Sequence, residues 1–278
     1  MTSIVARITF EPRTIDAGGI ETSYLEAGSG ETVLMLHGSG PGVSALANWQ
    51  LNIPTLAHRF HVLAPDIVGF GATERPEDVV YSLRTWTDHV WAFMDAHGIE
   101  KTRVIGNSLG GRIALQMATD QPDRIVKMVL MGTPGAGMTP TEGLAALRAY
   151  EPSYGAMREL LRNYFAVNPA MISDDLVKIR YEASIADGAY EAYRAMFFDP
   201  RHTGSDLGIT DNEVRAITTP TLLIHGREDK VVALQVSATM LGLLPNADLH
   251  VFSGCGHWTQ VERADEFSAV VTDYLGRS

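Results

Sequence analysis

Residues 106–110 read Gly-Asn-Ser-Leu-Gly, a G-x-S-x-G pentapeptide, and its surroundings restrict the fold sharply. An apolar run at 102–105 precedes it and helical patterning at 109–120 follows, so Ser108 stands on a strand-to-helix turn. Such an elbow is too tight for side chains two positions to either side, which is why glycine holds both places. It also aims the peptide N–H of Leu109, at a helix N-terminus, toward whatever carbonyl meets the serine.

The rest of the chain repeats that strand-then-helix alternation. Short apolar runs rich in Val, Ile and Leu occur at 32–36, 60–64, 125–131, 221–224 and 247–252. They do not alternate with polar residues, the mark of strands buried on both faces of a parallel sheet. Helical stretches at 83–97, 109–120, 232–244 and 264–275 fall between and after them. The expected class is therefore α/β, a mostly parallel sheet with helices on both faces. Two earlier segments, 4–10 and 20–26, read as an antiparallel hairpin across Asp16-Ala17-Gly18-Gly19.

One stretch breaks the pattern. Residues 134–217 contain no convincing strand, only helical patterning at 141–150, 154–165, 174–186 and 188–198. An all-helical insertion there reads as a lid over the strand ends, where ligands of such sheets bind, or else as an ordinary helical subdomain. The expected division is an α/β core at 1–133, a helical lid at 134–217, and the rest of the core at 218–278.

Charge and cysteine content exclude several classes of function. Lysine plus arginine number 22 against 33 acidic residues, a net charge of −11. Nucleic acid is not expected as a partner, because phosphate neutralisation needs clustered cations, and an anionic membrane surface is disfavoured likewise. No apolar run approaches the length of a membrane span, and no signal-peptide core is evident at the N-terminus. A single cysteine, Cys255, permits neither an internal disulfide nor a multi-cysteine metal site. The reading is a cytoplasmic protein with no metal and no cofactor.

A serine hydroxyl is a weak nucleophile until a base takes its proton, so a histidine oriented by a carboxylate is expected downstream. His257 sits in the glycine-rich loop after the run at 247–252, and Asp229 lies just past the run at 221–224. Both emerge at strand C-terminal ends, on the side of Ser108, in the chain order Ser, Asp, His used by this architecture. His37 reads as a structural hydrogen-bonding residue, Asp66 as a loop organiser, Glu228 as a solvated neighbour and Cys255 as a packing residue. The other histidines, His225 among them, have no comparable placement. The loop His37-Gly38-Ser39-Gly40-Pro41-Gly42 can turn backbone N–H groups toward developing negative charge, Ser39 supplying a second donor beside Leu109. It completes no phosphate-binding motif.

These residues resemble the α/β-hydrolases over the whole chain, and within them the meta-cleavage product hydrolases of bacterial aromatic catabolism. The resemblance is carried by His37–Gly42, by Gly106-Asn107-Ser108-Leu109-Gly110-Gly111, by Ile179-Arg180-Tyr181-Glu182-Ala183-Ser184 and by Cys255-Gly256-His257-Trp258. It implies an eight-stranded sheet with an inserted helical lid, and a homodimer or higher homo-oligomer. It also implies an anionic 2-hydroxy-6-oxo-2,4-dienoate substrate, whose C5–C6 bond is cut after ketonisation. The products are a 2-hydroxypenta-2,4-dienoate and a carboxylic acid.

Gly38, Gly40, Asn48, Asn107, Arg180 and Trp258 would then form the dienoate subsite, Asn48 by the resemblance alone. Arg180 borders an expected apolar stripe of Ile172, Leu176, Ile179 and Ala183, with Ser173 as N-cap, and a guanidinium beside a buried face calls for an anion. A salt bridge to a neighbouring acid is the structural alternative. Met157, Phe165, Met196, Phe197 and Phe198 either line the C6-substituent subsite or are plain core, and a substrate from a monocyclic aromatic is favoured over a 6-phenyl one. The motif leaves open whether Ser108 attacks covalently or polarises a water. Competing readings are a carboxylesterase or perhydrolase of the same fold, and a small-molecule receptor that retains the triad.

Overall fold

The computed structural model describes residues 10–199, 201 and 207–277. Eight strands form one sheet in the order β1-β2-β4-β3-β5-β6-β7-β8. They are β1 (Arg13–Asp16), β2 (Glu21–Ala27), β3 (Thr32–Leu36), β4 (His61–Pro65), β5 (Thr102–Asn107), β6 (Ile125–Met131), β7 (Thr221–Gly226) and β8 (Ala247–Phe252). β1 and β2 run antiparallel, β2 is antiparallel to β4, and every pairing from β4 through β8 is parallel. The hairpin turn falls where expected, but its first strand is Arg13–Asp16, and the segment expected at 4–10 lies outside the described residues, save Phe10.

The helices are α1 (Ala45–Trp49), α2 (Ile53–Leu56), α3 (Leu83–Ala96), α4 (Leu109–Asp120), α5 (Glu142–Arg148), α6 (Tyr154–Leu160), α7 (Asp174–Ser184), α8 (Ala189–Phe198), α9 (Asp211–Ala216), α10 (Leu234–Leu243), α11 (Thr259–Glu262) and α12 (Ala264–Gly276). Between β6 and β7 all described elements are helical, from α5 to α9, with α6 running on into a π-helical turn at Leu161–Phe165.

The apolar strands divide their side chains between two cores. Leu34, Leu36, Val104, Met128 and Leu130 face one, and Val33, Met35, Ile105, Val129 and Met131 face the other. Alternate residues of one apolar run thus serve opposite faces, which is why the runs carry no polar alternation. The first core continues into the insertion through Leu147, Met157, Leu161, Val177 and Tyr193, so α5–α8 pack on the sheet assembly as part of the same apolar mass.

Register sets the position of the site. Leu36 lies opposite Gly106, Asn107 opposite Met131, Met131 opposite Ile224, and Gly226 opposite Phe252. The strands therefore finish almost level, and the loops that follow them converge on one rim of the sheet.

Candidate active site

Ser108 has φ +50° and ψ −112°, and it is the sole non-glycine with positive φ among the described residues. A conformation of this kind costs about 1–3 kcal/mol and persists only where the surroundings enforce it. Here its N–H donates to Met131 O at 2.8 Å, and α4 starts at the next residue. A β-carbon on Gly110 would stand 2.2 Å from Leu36 O, and one on Gly106 2.5 Å from Gly111 N. The flanking glycines are thus demanded by close approach of backbone to backbone.

The histidine and carboxylate meet as expected. His257 Nδ1 donates to Asp229 Oδ2 at 2.7 Å, and both side chains are buried. With Nδ1 carrying the proton, Nε2 of the neutral ring keeps its lone pair to act as a base. Burial pushes the Asp229 carboxyl up, but His257 and His225 outweigh it and hold it well below the usual carboxylate range. Asp229 Oδ1 accepts from Val231 N and Val232 N at 2.7 and 2.9 Å. Gly132, next to the residue that holds Ser108, abuts the pair: a β-carbon there would lie 3.0 Å from His257 Cε1 and 3.3 Å from Asp229 Oδ2.

The loop that carries His257 is clamped by two acids, Glu228 and Glu262. Glu228, expected to be solvated, accepts from Cys255 N at 3.1 Å, and that bond and Arg227 lower its pKa. Glu262 accepts from Gly256 N and Val167 N, both at 2.8 Å. His257 N donates to Phe165 O at 3.0 Å, tying the loop to the helical insertion. Cys255 is fully buried, and burial pushes its thiol up to about 12, consistent with packing.

Facing the elbow, Gly38 is so close that a β-carbon would stand 2.8 Å from Asn107 Oδ1 and 3.3 Å from Ser108 Cβ. His37 is fully buried: Nδ1 donates to Gly38 O at 2.7 Å and Nε2 accepts from Ile67 N at 3.0 Å. Because Gly38 C=O and Ser39 N–H belong to one peptide plane, this bond fixes the direction of the Ser39 donor. Asp66 organises its loop, accepting from Ala45 N at 2.6 Å and Ala72 N at 3.0 Å.

Arg180 is 3% exposed and makes no ion pair among the described residues. Its Nε and Nη2 donate to Pro41 O at 3.3 and 2.9 Å, and the guanidinium lies 5.4 Å from the Trp258 ring centre. Burial lowers its pKa to about 10. The expected stripe on α7 is displaced: Ile179 is 59% exposed and Ala183 is exposed, whereas Val177, Arg180 and Ser184 are buried. Arg180 thus occupies the centre of the buried face. The short apolar residues chosen from sequence could not reveal which side the neighbouring elements would cover. The Ser173 cap is as expected, its side chain accepting from Leu176 N. Asn48 and Asn107 are buried, and the amide nitrogen of each has no hydrogen-bond partner.

Ser108, Ser39 and Leu109 open onto a cavity of about 440 Å3. Its far walls are Met138, Leu144, Leu147, Phe197, Leu207 and Ile209, with exposed Arg148 as the one charged side chain among the described lining residues. Of the five lid residues considered for this subsite, Phe197 alone lines the cavity. Phe165 packs on the His257 and Trp258 rings, Met157 and Met196 are core, and Phe198 is 53% exposed. Half of the described cavity wall comes from irregular segments at 134–140 and 207–209, which carry no periodic signal. Among the described residues, no group of three or more His, Cys, Asp or Glu is placed to hold a metal, and no helix is long and apolar enough to cross a membrane.

Residues 31–264 match the family model for the alpha/beta hydrolase fold. The chain is 45% identical over 267 residues to a 2-hydroxymuconate semialdehyde hydrolase of Pseudomonas sp. strain CF600, covering 96% of this chain and 94% of that protein. It is 41% identical over 276 residues to a 2-hydroxy-6-oxo-2,4-heptadienoate hydrolase of Pseudomonas putida, covering 99% of each. A meta-cleavage product hydrolase of Pseudomonas fluorescens IP01, solved as a serine-to-alanine mutant complexed with acetates, superposes with a TM-score of 0.91. The two share 45% identity, with 95% of this chain and 97% of that one covered.

Proposed function

This chain belongs to the α/β-hydrolase family and, within it, to the meta-cleavage product hydrolases, and on that premise we propose that it cleaves the C5–C6 bond of a 2-hydroxy-6-oxo-2,4-dienoate. One observation carries the choice of substrate: a buried guanidinium, Arg180, that among the described residues has the Pro41 carbonyl and the Trp258 ring for partners and no counter-ion, beside the base-bearing loop. A buried cation without a counter-ion is costly, and a carboxylate that docks bidentately supplies what it lacks. An ester with no carboxylate has no use for it.

The reaction follows from the remaining groups. The C1 carboxylate meets Arg180, while the unpaired amides of Asn48 and Asn107, with Trp258, Gly38 and Gly40, shape the dienoate subsite. Ketonisation moves the proton of the 2-hydroxyl to C5, creating an electron sink for a carbon leaving group. His257, held by Asp229, takes the proton of Ser108 as the hydroxyl attacks the C6 carbonyl. The oxyanion meets the N–H groups of Ser39 and Leu109. Collapse breaks C5–C6, its electron pair enters the dienolate, and a water activated by His257 releases the acid. The C6 substituent occupies the cavity lined by Met138, Leu147 and Phe197, an apolar wall suited to a small uncharged group from a monocyclic aromatic. The helical insertion, residues 134–217, acts as the lid of this site. A homo-oligomer in the cytoplasm is part of the same reading, and the oligomer is checked by light scattering on the purified protein.

The test is Ser108→Ala. Removal of a triad nucleophile costs about 10³-fold or more in turnover, while the variant still binds the dienoate, seen as a perturbed absorption band. Full turnover in the variant overturns the assignment.

A further inference from the structure

His225 is the penultimate residue of β7, its side chain fully buried, and nothing in the mechanism above uses it. Its ring is nevertheless built into the carboxylate end of the triad. Nε2 lies 2.8 Å from Val232 O and 3.4 Å from Asp229 Oδ2, and Nδ1 lies 2.7 Å from Ser237 Oγ. A carbonyl oxygen only accepts, so Nε2 must carry a proton directed at Val232 O, with Asp229 Oδ2 beside the same N–H at 3.4 Å. In the neutral ring Nδ1 then accepts from the Ser237 hydroxyl. Val232 is used twice: its N–H donates to Asp229 Oδ1, and its carbonyl accepts from His225 Nε2. Oδ2, which accepts from His257 Nδ1, would have no other close donor among these groups.

We propose that His225, anchored by Ser237, is a positioning residue for the Asp229–His257 pair. Its Nε2–H, held on Val232 O, fixes the 229–232 turn and presents the N–H dipole to Oδ2, so the carboxylate keeps its face toward His257. This rests on the reading of Asp229 and His257 as triad members.

Three variants test it on the purified full chain with a dienoate substrate. His225→Leu removes the donor from an apolar strand, and its kcat falls about 10- to 100-fold, the scale of leaving a buried acceptor, Val232 O, unpaired in the turn that holds the carboxylate. KM moves less than about two-fold, because substrate contacts are untouched. His225→Gln, which retains a side-chain N–H, recovers most of the loss. Ser237→Ala leaves the ring but frees it, lowering kcat in the same direction, and it carries the test if His225→Leu does not fold. The low-field proton resonance of His257 Nδ1–H shifts in His225→Leu and Ser237→Ala and returns in His225→Gln. Nitrogen NMR of the wild type shows a proton on His225 Nε2.

An unchanged kcat in His225→Leu, a fall shared equally by KM, an unmoved low-field proton, or a His225 Nε2 without a proton overturns the proposal. Asp229→Asn serves as the control. If it retains full activity, the triad reading has failed; if it is inactive while His225→Leu is unaffected, the positioning role alone has failed.

Discussion

Replacing Arg180 by methionine separates substrate recognition from structural support. The wild-type guanidinium is buried with Pro41 O as its hydrogen-bond acceptor, and its pKa falls from 12.5 to about 10. That depression means the fold disfavours the charge, by about 3 kcal/mol at 1.36 kcal/mol per pKa unit. Methionine relieves this cost but leaves Pro41 O without its donor, a loss of about 1–3 kcal/mol. The two offset, and the Tm of the empty protein should stay within about 5 °C of wild type. Breaking a buried structural salt bridge would instead cost about 3–5 kcal/mol and lower Tm by about 8 °C or more.

Turnover should respond in the opposite way. The dienoate carboxylate enters the site without a partner, and about 3–5 kcal/mol of lost pairing becomes about a 10²- to 10³-fold fall in kcat/KM. Absorbance assays of dienoate bleaching read that fall, and hydrolysis of a short uncharged nitrophenyl ester should change less than about three-fold in comparison. Equal losses on both substrates, or a large drop in Tm, would refute the argument that Arg180 waits for a carboxylate.

The remaining expectations concern the cavity, the charge and the histidines. Lengthening C6 from hydrogen to methyl to isopropyl should raise kcat/KM by up to about four-fold per carbon, since each buried CH2 is worth about 0.8 kcal/mol; a C6–H substrate outranking both alkyl forms would contradict the apolar subsite. Arg148→Glu at the cavity wall should slow capture of the anionic substrate about 3- to 10-fold at low ionic strength, and the gap should close as salt screens it. A gap indifferent to salt would indicate direct contact instead. His89 is buried with Nδ1 accepting from Val68 N, and burial lowers its pKa from 6.5 to about 4. Between those values the unfolded chain binds more protons than the folded one, so stability falls as pH drops from about 6.5 to about 4, by up to about 3 kcal/mol for this residue. Thermal melts across that window should show the slope, and His89→Gln should flatten it.

Where the chain is periodic or sterically demanding, the sequence was informative. The runs at 32–36, 125–131 and 247–252 coincide with β3, β6 and β8, and the elbow glycines imply the approach of α4 to Leu36 O. Asp229 and His257 were legible because the loops after parallel strands must share one rim. The rest depends on contacts between segments distant in sequence. Which face of α7 is buried is decided by the elements covering it, so Arg180 was placed at the border of a stripe when it stands at the centre. The short helices α1, α2 and α11 have too few turns to show a period. Half of the described cavity wall comes from loops at 134–140 and 207–209. His225 gave no signal at all: inside an apolar strand a histidine looks like filler, and only the return of Val232 and Asp229 reveals its partners.

C–C hydrolysis is tested most directly by the relative kcat/KM of the wild-type protein for two substrates at neutral pH: a yellow 2-hydroxy-6-oxo-2,4-dienoate with a methyl C6 group and a short nitrophenyl ester. The dienoate should be bleached far faster, with 2-hydroxypenta-2,4-dienoate and acetate as products. Faster ester cleavage would contradict C–C hydrolysis, and saturable dienoate binding without turnover would make the protein a receptor.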